Sequence, residues 1–504
     1  MKAKINLALR VLLALAAGYV VILQACYFFG AYGVRRHQVE SACFIFAAIV
    51  FLRFPTLKGP DWRSTSPSVA RWVFGVALLG VAAYWRALNV GLLSDDFVLR
   101  SWVLAGHLTW VDSKLARPVA LALWRAVFGL GGDAVSLHVV NVALHVTNTI
   151  LAGHLAARLG LERSGVLVAS LVFLLWPTQV EAVVWSSGVF DVLATTWMLG
   201  ALLICLRDAA LFRTSVDVVL VCGLSVLALL TKESAVALSL LAMVVTLGRP
   251  AHGFASRRQT ILVISILCST VAYMAWRLSA GLPVVGTSSV GRYVVKEQLS
   301  RTFGALALPF SDQTVHAHPL LALLIASGIA VLATASIIHT KQRSPGHVIA
   351  MKGVIWGVVA PLPTIGLLFI GSYLDGSRYL YLAALGWGLV LGGLLDALWQ
   401  HRFLRWVAIT GLAALFVAVG VEQQQRLSDW QAAASERDRI LAEARRLAGE
   451  RHCGSIEASN LPPRHNGAQL FNNGFANAIG EALPTTPSSH HCRWTWDGSA
   501  FREN

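Results

Sequence analysis

Residues 74–100 read FGVALLGVAAYWRALNVGLLSDDFVLR. The reading of this stretch decides the fold. Its first part belongs to an apolar run, 71–90, long enough to cross a bilayer as a helix. Directly after it stand two adjacent carboxylates, Asp95 and Asp96. Acids are scarce in this chain, 26 in 504 residues, so a pair at a membrane surface needs a reason. An N-cap by Ser94 or Asp95 on a helix starting near Asp96 accounts for one of them. The other reading is a carboxylate held at the membrane boundary as a general base.

Working outward, the chain is 56% hydrophobic and 13% charged, with mean hydropathy +0.63, which excludes a soluble protein. Spans are expected at 7–31, 39–54, 71–90, 136–158, 164–177, 183–206, 216–231, 235–248, 260–278, 319–339, 348–370, 378–398 and 404–421. The apolar piece at 299–310 is too short to cross. Lys and Arg outnumber Asp and Glu by 41 to 26, but this excess does not point to nucleic acid. It sits in short loops: Arg53 to Arg71, Arg158 and Arg163, Arg207 and Arg213, Arg249 to Arg258, Lys341 and Arg343, Arg402 and Arg405. With thirteen spans and a cytoplasmic N-terminus, all of these fall inside, as the positive-inside rule requires. Arg35 and Arg36 are the exceptions.

The same parity places 91–135, 178–190, 231–235, 279–318, 371–378 and everything from 422 outside. The first of these segments holds two amphipathic stretches, DDFVLRSWVLAGHL and RPVALALWRAVFGL. These are expected to lie in the membrane interface with Trp102, Trp110 and Trp124 as anchors. From 422 the composition turns polar. EQQQRLSDWQAAASERDRILAEARRLAGERHC (422–453) reads as a charged amphipathic helix, and the rest as turns with short elements. The expected organisation is a membrane domain, 1–421, with two extra spans in 1–60 and a functional loop at 91–135, followed by a small outside lobe, 422–504. Cys26, Cys43, Cys205, Cys222 and Cys268 lie in apolar segments as small core residues. Cys453 and Cys492 can pair if the lobe is outside the cytoplasm.

Four other segments carry unusual residues. WPTQVEAVVWSSGVFDVLATTW (176–197) brackets a turn with Glu181 and Asp191. LLTKESAVAL (229–238) holds Lys232 and Glu233 between two apolar stretches with almost no loop, and a charge pair at a membrane edge is costly unless paired or functional. HVVNVALHVTNT (138–149) puts His138, Asn141, His145 and Asn148 on one helix face, a pattern that favours interhelical hydrogen bonds over metal ligation. YLDGSRYLYLA (373–383) sets Asp375 and Arg378 at the outer end of a span beside Tyr379 and Tyr381, and Arg is the natural partner of a phosphate. No cluster carries convincing metal-ligand spacing; His490-His491-Cys492 is a weak one. A divalent metal is therefore not implied.

Taken in order, SDDFVLR, RPVALALWRAVFGL, HVVNVALHVTNTILAGHLAARL, LVFLLWPTQVEAVVWSSGVFDVL, LLTKESAV and SRYLYLAALG resemble the GT-C superfamily of integral membrane glycosyltransferases. The likeness is nearest to bacterial O-mannosyltransferase-like proteins and to TPR-bearing transmembrane O-mannosyltransferases, without the TPR array. It covers roughly 71–400, and LPPRHNGAQLFNNGF (461–475) extends it into the tail. Trp176 and Val189-Phe190 stand where such proteins often carry His and a basic residue.

The resemblance implies an all-α polytopic bundle that moves a sugar from a polyprenyl-phosphate carrier to a hydroxyl of a lipid, polysaccharide or protein. It implies transfer with inversion, on the periplasmic side of the inner membrane. Asp95 or Asp96 would be the base, with Asp95 preferred. Lys232 and Arg378 would hold the donor phosphate. Arg117, Glu181, Asp191, Glu233 and Tyr381 would bind substrate or support the site. The alternatives are a lipid or polysaccharide transporter or flippase, which usually carries inverted repeats around midplane charges, and a non-catalytic envelope-assembly protein.

Overall fold

The computed structural model describes residues 67–107, 116–207, 214–246, 254–282, 301–302, 304–306, 308–317, 345–364, 370–399, 401–453, 455–480 and 491–503. The expected spans at 7–31, 39–54 and 319–339 lie outside them, as do Trp110, Cys26, Cys43 and His490.

The membrane part is helical. Its elements are α1 (Pro67–Tyr84), α2 (Asp95–Leu104), α3 (Pro118–Gly129), α4 (Ala134–Leu159), α5 (Arg163–Leu175), α6 (Val180–Val184), α7 (Val189–Cys205), α8 (Thr214–Thr231), α9 (Ala237–Thr246), α10 (Phe254–Ser279), α11 (Asp312–Ala317), α12 (Pro345–Val359), α13 (Ala384–Leu398) and α14 (Arg402–Arg451). Among the described residues, seven helices are long and apolar enough to cross a bilayer. α5 and α6, bent by 46° at Trp176-Pro177, form an eighth crossing if they are one broken span. The bend follows from Pro177, which cannot continue the hydrogen-bond ladder of α5.

Helix ends follow local chemistry. α4 starts in a capping box, in which Asp133 accepts from Ser136 N at 3.0 Å and Ser136 Oγ accepts from Asp133 N at 3.2 Å. It stops at Gly160, whose φ of 106° is open to glycine. The polar face of α4 joins helices, as its pattern suggested. Asn141 Nδ2 donates to Trp185 O at 2.9 Å and Asn148 Nδ2 to Val192 O at 2.8 Å. His145 bridges Leu174 O, at 3.0 Å, and the Tyr381 hydroxyl, at 2.8 Å.

α12, α13 and α5 pack backbone to backbone through glycines. A Cβ on Gly353 would stand 2.6 Å from Gly386 O, and one on Gly392 would stand 2.5 Å from Gly165 O. In lipid such close approach replaces the hydrophobic drive that water would supply.

Three expected spans begin later than their hydropathy suggests. The runs 183–206, 235–248 and 378–398 become α7, α9 and α13, each preceded by a 3₁₀ turn: Ser186–Gly188, Glu233–Val236 and Ser377–Leu380. α9 is only 10 residues long and α13 only 15. These breaks border the site described below.

Two further expectations are corrected. Trp124 is no interface anchor: α3 packs on α2, α4, α7 and α8. Trp124 is fully buried there, edge-on to Phe128 at 5.9 Å. The last span and the charged helix after it are one element. α14 runs 50 residues, about 75 Å, because no proline interrupts it. Beyond the apolar part it buries Gln423, Arg426, Leu427, Trp430, Ala433, Arg437, Ile440 and Ala444, a stripe at helical spacing.

The tail adds β1 (Ser455–Ser459), β2 (Arg464–His465), β3 (Ala468–Gln469), α15 (Phe475–Gly480), β4 (His491–Trp496) and β5 (Phe501–Glu503). β1 pairs parallel to β4 and β4 antiparallel to β5. β2 and β3 form a hairpin whose turn, Asn466-Gly467, has positive φ at both residues. Cys453 and Cys492 form a disulfide that ties the end of α14 to β4.

Candidate active site

Residues 90–94 link the first described span to α2 and deliver Asp95. Each carbonyl from Val90 to Leu93 accepts from a distant side chain. Arg437 Nη1 donates to Val90 O and Leu92 O, both at 2.7 Å. His138 Nε2 meets Gly91 O at 3.1 Å, and Trp185 Nε1 donates to Leu93 O at 3.2 Å. Ser94 N donates to Leu470 O of the tail at 2.9 Å. Ser94 has φ of 50°, a conformation that a non-glycine residue keeps only when its surroundings enforce it. The segment is thus held from the bundle, from α14 and from the lobe at once.

The two carboxylates that follow are differently placed. Asp96 is fully buried. Its Oδ1 accepts from Ser187 N at 2.9 Å and from Ser187 Oγ, and its Oδ2 from Leu93 N at 2.9 Å. Burial pushes its carboxyl up to about 7; the hydrogen bonds from Ser187 and Leu93 oppose this, and the neighbouring Asp95 charge adds to it. Asp96 therefore pins α2 to the turn at 186–188 and does not line the cavity. Asp95 does line it, and its buried Oδ1 has no hydrogen-bond partner among the described residues.

The cavity is lined by one face of α2, Asp95, Val98, Leu99 and Trp102, together with Arg117, Leu121, Ser187, Phe190, Asp191, Lys232, Arg378, Tyr379 and Asn473. Three of these are cations. Arg117 pairs with Glu233, Nε to Oε2 at 2.9 Å, and lies over the Phe190 ring at 5.2 Å. Lys232 forms a buried ion pair with Asp191 and sits 4.7 Å from the centre of the Tyr379 ring. Arg378 lies against two aromatic rings, 4.3 Å from the Trp185 centre and 5.2 Å from the Tyr379 centre, and its Nη2 donates to the Tyr379 hydroxyl at 3.5 Å. Its buried Nε has no partner among the described residues. The Arg378 charge lowers the Tyr379 hydroxyl below the ordinary tyrosine value, and Lys232 acts in the same direction.

Of the other residues singled out from sequence, Glu181 is buried behind Arg378. Its Oε2 accepts from Arg378 N at 3.3 Å, while Oε1 has no partner among the described residues. Glu233 backs Arg117. Tyr381 lies inside the bundle, with its hydroxyl held by His145 and Asn148, and supports the helix packing from there. Asp375 pairs with Arg464 of the lobe.

Ser187 and Asn473 were not singled out from sequence, and Phe190 only as a departure from the resembled family. Ser187 and Phe190 precede Asp191 within a segment that was. Asn473 lies in the tail segment 461–475 of the resemblance, 379 positions beyond its contact Ser94. Among the described residues no group of three or more His, Cys, Asp or Glu has the geometry to hold a metal.

The bundle, with its broken helices around one cavity and a small lobe over it, has the GT-C-type fold of polytopic membrane proteins. The solved structure of ArnT from Cupriavidus metallidurans bound to undecaprenyl phosphate is similar to it. That match is 15% identical, covers 84% of this chain and 90% of that one, and has a TM-score of 0.50. The Archaeoglobus fulgidus oligosaccharyltransferase tethered with an acceptor peptide aligns at 12% identity over 82% of this chain and 63% of that one, with a TM-score of 0.43. No protein-family model matches the sequence, and a search of curated proteins found no match.

Proposed function

We propose that this chain is a membrane glycosyltransferase that takes a sugar from a polyprenyl-phosphate carrier and transfers it to a hydroxyl acceptor, with inversion. One observation carries this reading. A single cavity brings together Asp95 and Arg378, whose carboxylate Oδ1 and guanidinium Nε are both without a hydrogen-bond partner among the described residues. Asp95 is the base that removes the acceptor proton. Arg378 binds the carrier phosphate, with Lys232 and Arg117 adding positive potential, and stabilises the charge it gains as the glycosidic bond breaks. A phosphate leaves as an anion, so one carboxylate suffices, unlike the pair that glycoside hydrolysis uses. Asp96 positions Asp95, Glu181 orients Arg378, and Glu233 and Asp191 fix the other two cations.

The bound undecaprenyl phosphate of the C. metallidurans structure, on a similar fold, supports the carrier assignment. The order of the sequence motifs supports an O-mannosyltransferase-like transfer to oxygen. The placement that fits the loop charges is the inner membrane, with the cavity and lobe on the periplasmic side. In the native host, deletion should remove one envelope glycan. The wild-type gene should restore it, and the Asp95→Asn form should not. Restoration by Asp95→Asn would refute the catalytic reading.

A further inference from the structure

The cavity lining has two parts. Asp191, Lys232, Arg378 and Tyr379 interact through an ion pair and ring contacts, and Arg117 acts on Asp191 and Tyr379 through its charge. Asp95, Trp102, Ser187 and Asn473 line the rest, from α2, the 186–188 turn and the C-terminal lobe. We propose that this second half is a saccharide subsite and that the lobe completes it with Asn473, whose amide hydrogen-bonds a sugar hydroxyl held beside Asp95.

The proposal rests on the function proposed above and goes beyond it in making the lobe part of the substrate site. Three observations carry it. First, the loop that bears Asn473 is locked to the base segment. Leu470 O accepts from Ser94 N at 2.9 Å. Gly474, with φ of 83°, packs so tightly that a Cβ would stand 2.2 Å from Ser94 O. Asn477 Nδ2 donates to Ser101 Oγ of α2 at 2.8 Å. Second, Asn473 is exposed on the cavity wall and its amide is held by little else: Oδ1 has one long contact, 3.5 Å from Ser94 Oγ. An amide that both donates and accepts on a cavity wall matches a hydroxyl, which does both. Third, Trp102 lines the same half. An indole face suits the C–H face of a sugar ring, while the polar groups around it take the hydroxyls. The sugar can belong to the donor or to the acceptor, and the shared chemistry is a polyhydroxylated ring.

The test uses the full-length protein. Wild type, Asn473→Ala, Asn473→Gln and Asp95→Asn are expressed in the deletion strain and scored for the glycan that deletion removes. Each is also purified in nanodiscs and titrated with undecaprenyl phosphate. Loss of one neutral hydrogen bond should lower glycan formation about threefold to tenfold in Asn473→Ala, with Asn473→Gln partly restoring it and binding of undecaprenyl phosphate unchanged. The lipid-linked donor that accumulates in the deletion strain then separates the sources. Weaker binding of that lipid to Asn473→Ala assigns the donor sugar, and equal binding assigns the acceptor. Wild-type glycan levels in Asn473→Ala, while Asp95→Asn makes none, would overturn the subsite and leave the base assignment standing. Loss of undecaprenyl phosphate binding in Asn473→Ala would also overturn it, by reducing Asn473 to a structural role.

Discussion

The guanidinium of Arg378 lies 4.3 Å from the centre of the Trp185 ring, and the same indole donates its N–H to Leu93 O two residues before Asp95. One aromatic side chain therefore sets the cation and the segment that carries the base. A cation stacked on a ring keeps its in-plane N–H groups free for an anion.

Arg378→Ala should weaken undecaprenyl phosphate binding by the worth of a charge-assisted contact, about 1.5–3 kcal/mol. Arg378→Lys should recover only part of it, because the ammonium lacks the planar fork. Titration of nanodisc-embedded protein measures this, and equal affinity in all three forms would move the phosphate site elsewhere.

Lys232→Met should do more harm than Arg378→Ala to the fold. It strands Asp191 as an unpaired buried charge, a loss of about 3–5 kcal/mol. The double variant Lys232→Met/Asp191→Asn should regain wild-type melting while carrier binding stays weak. A double variant that melts as low as the single one would show that the ion pair is not the source of the loss.

Asp95→Asn should reduce turnover about 10²–10⁴-fold and leave carrier affinity intact. A steady-state assay paired with the titration separates the two effects. A parallel drop in both would make Asp95 a binding group instead of the base.

Asp96 makes stability depend on pH. Its folded value of about 7 lies above the value near 3.9 of an unfolded aspartate. Its stabilising contribution is thus complete below about pH 4 and is lost as the pH rises through 7. Melting temperature should fall more steeply between about pH 4 and 7 in wild type than in Asp96→Asn. Parallel melting curves for the two proteins would contradict this.

The Cys453–Cys492 bond closes 39 positions, a constraint worth about 4 kcal/mol in the chain-entropy model. In a variant lacking the other five cysteines, an impermeant thiol reagent should label intact spheroplasts only after reduction. Labelling confined to lysed cells would put the lobe in the cytoplasm and invert the proposed orientation.

Hydropathy alone determined that this is a helical membrane protein, because crossing lipid requires long apolar runs whose backbone bonds close internally. It also exposed the rare charged residues, since each one interrupts such a run. Asp95, Lys232, Arg378 and Asp191 were legible for that reason, and Arg117 only through the family resemblance. Sequence did not show where α7, α9 and α13 begin. Apolar composition is the same in a helix and in the 3₁₀ turn before it, and only packing around the cavity selects the turn. Nor did it give a physical reason to separate the two adjacent acids, although Asp95 was the preferred base. Asp95 and Asp96 are equivalent in a string of letters. They diverge because helix geometry points one toward Ser187 and the other into the cavity. Asn473 lay inside the tail segment of the resemblance, 461–475, but nothing in that segment set it apart. Its place beside Ser94 depends on α14 carrying the chain out of the bundle and on the lobe folding back across 379 positions, a contact that no local pattern encodes.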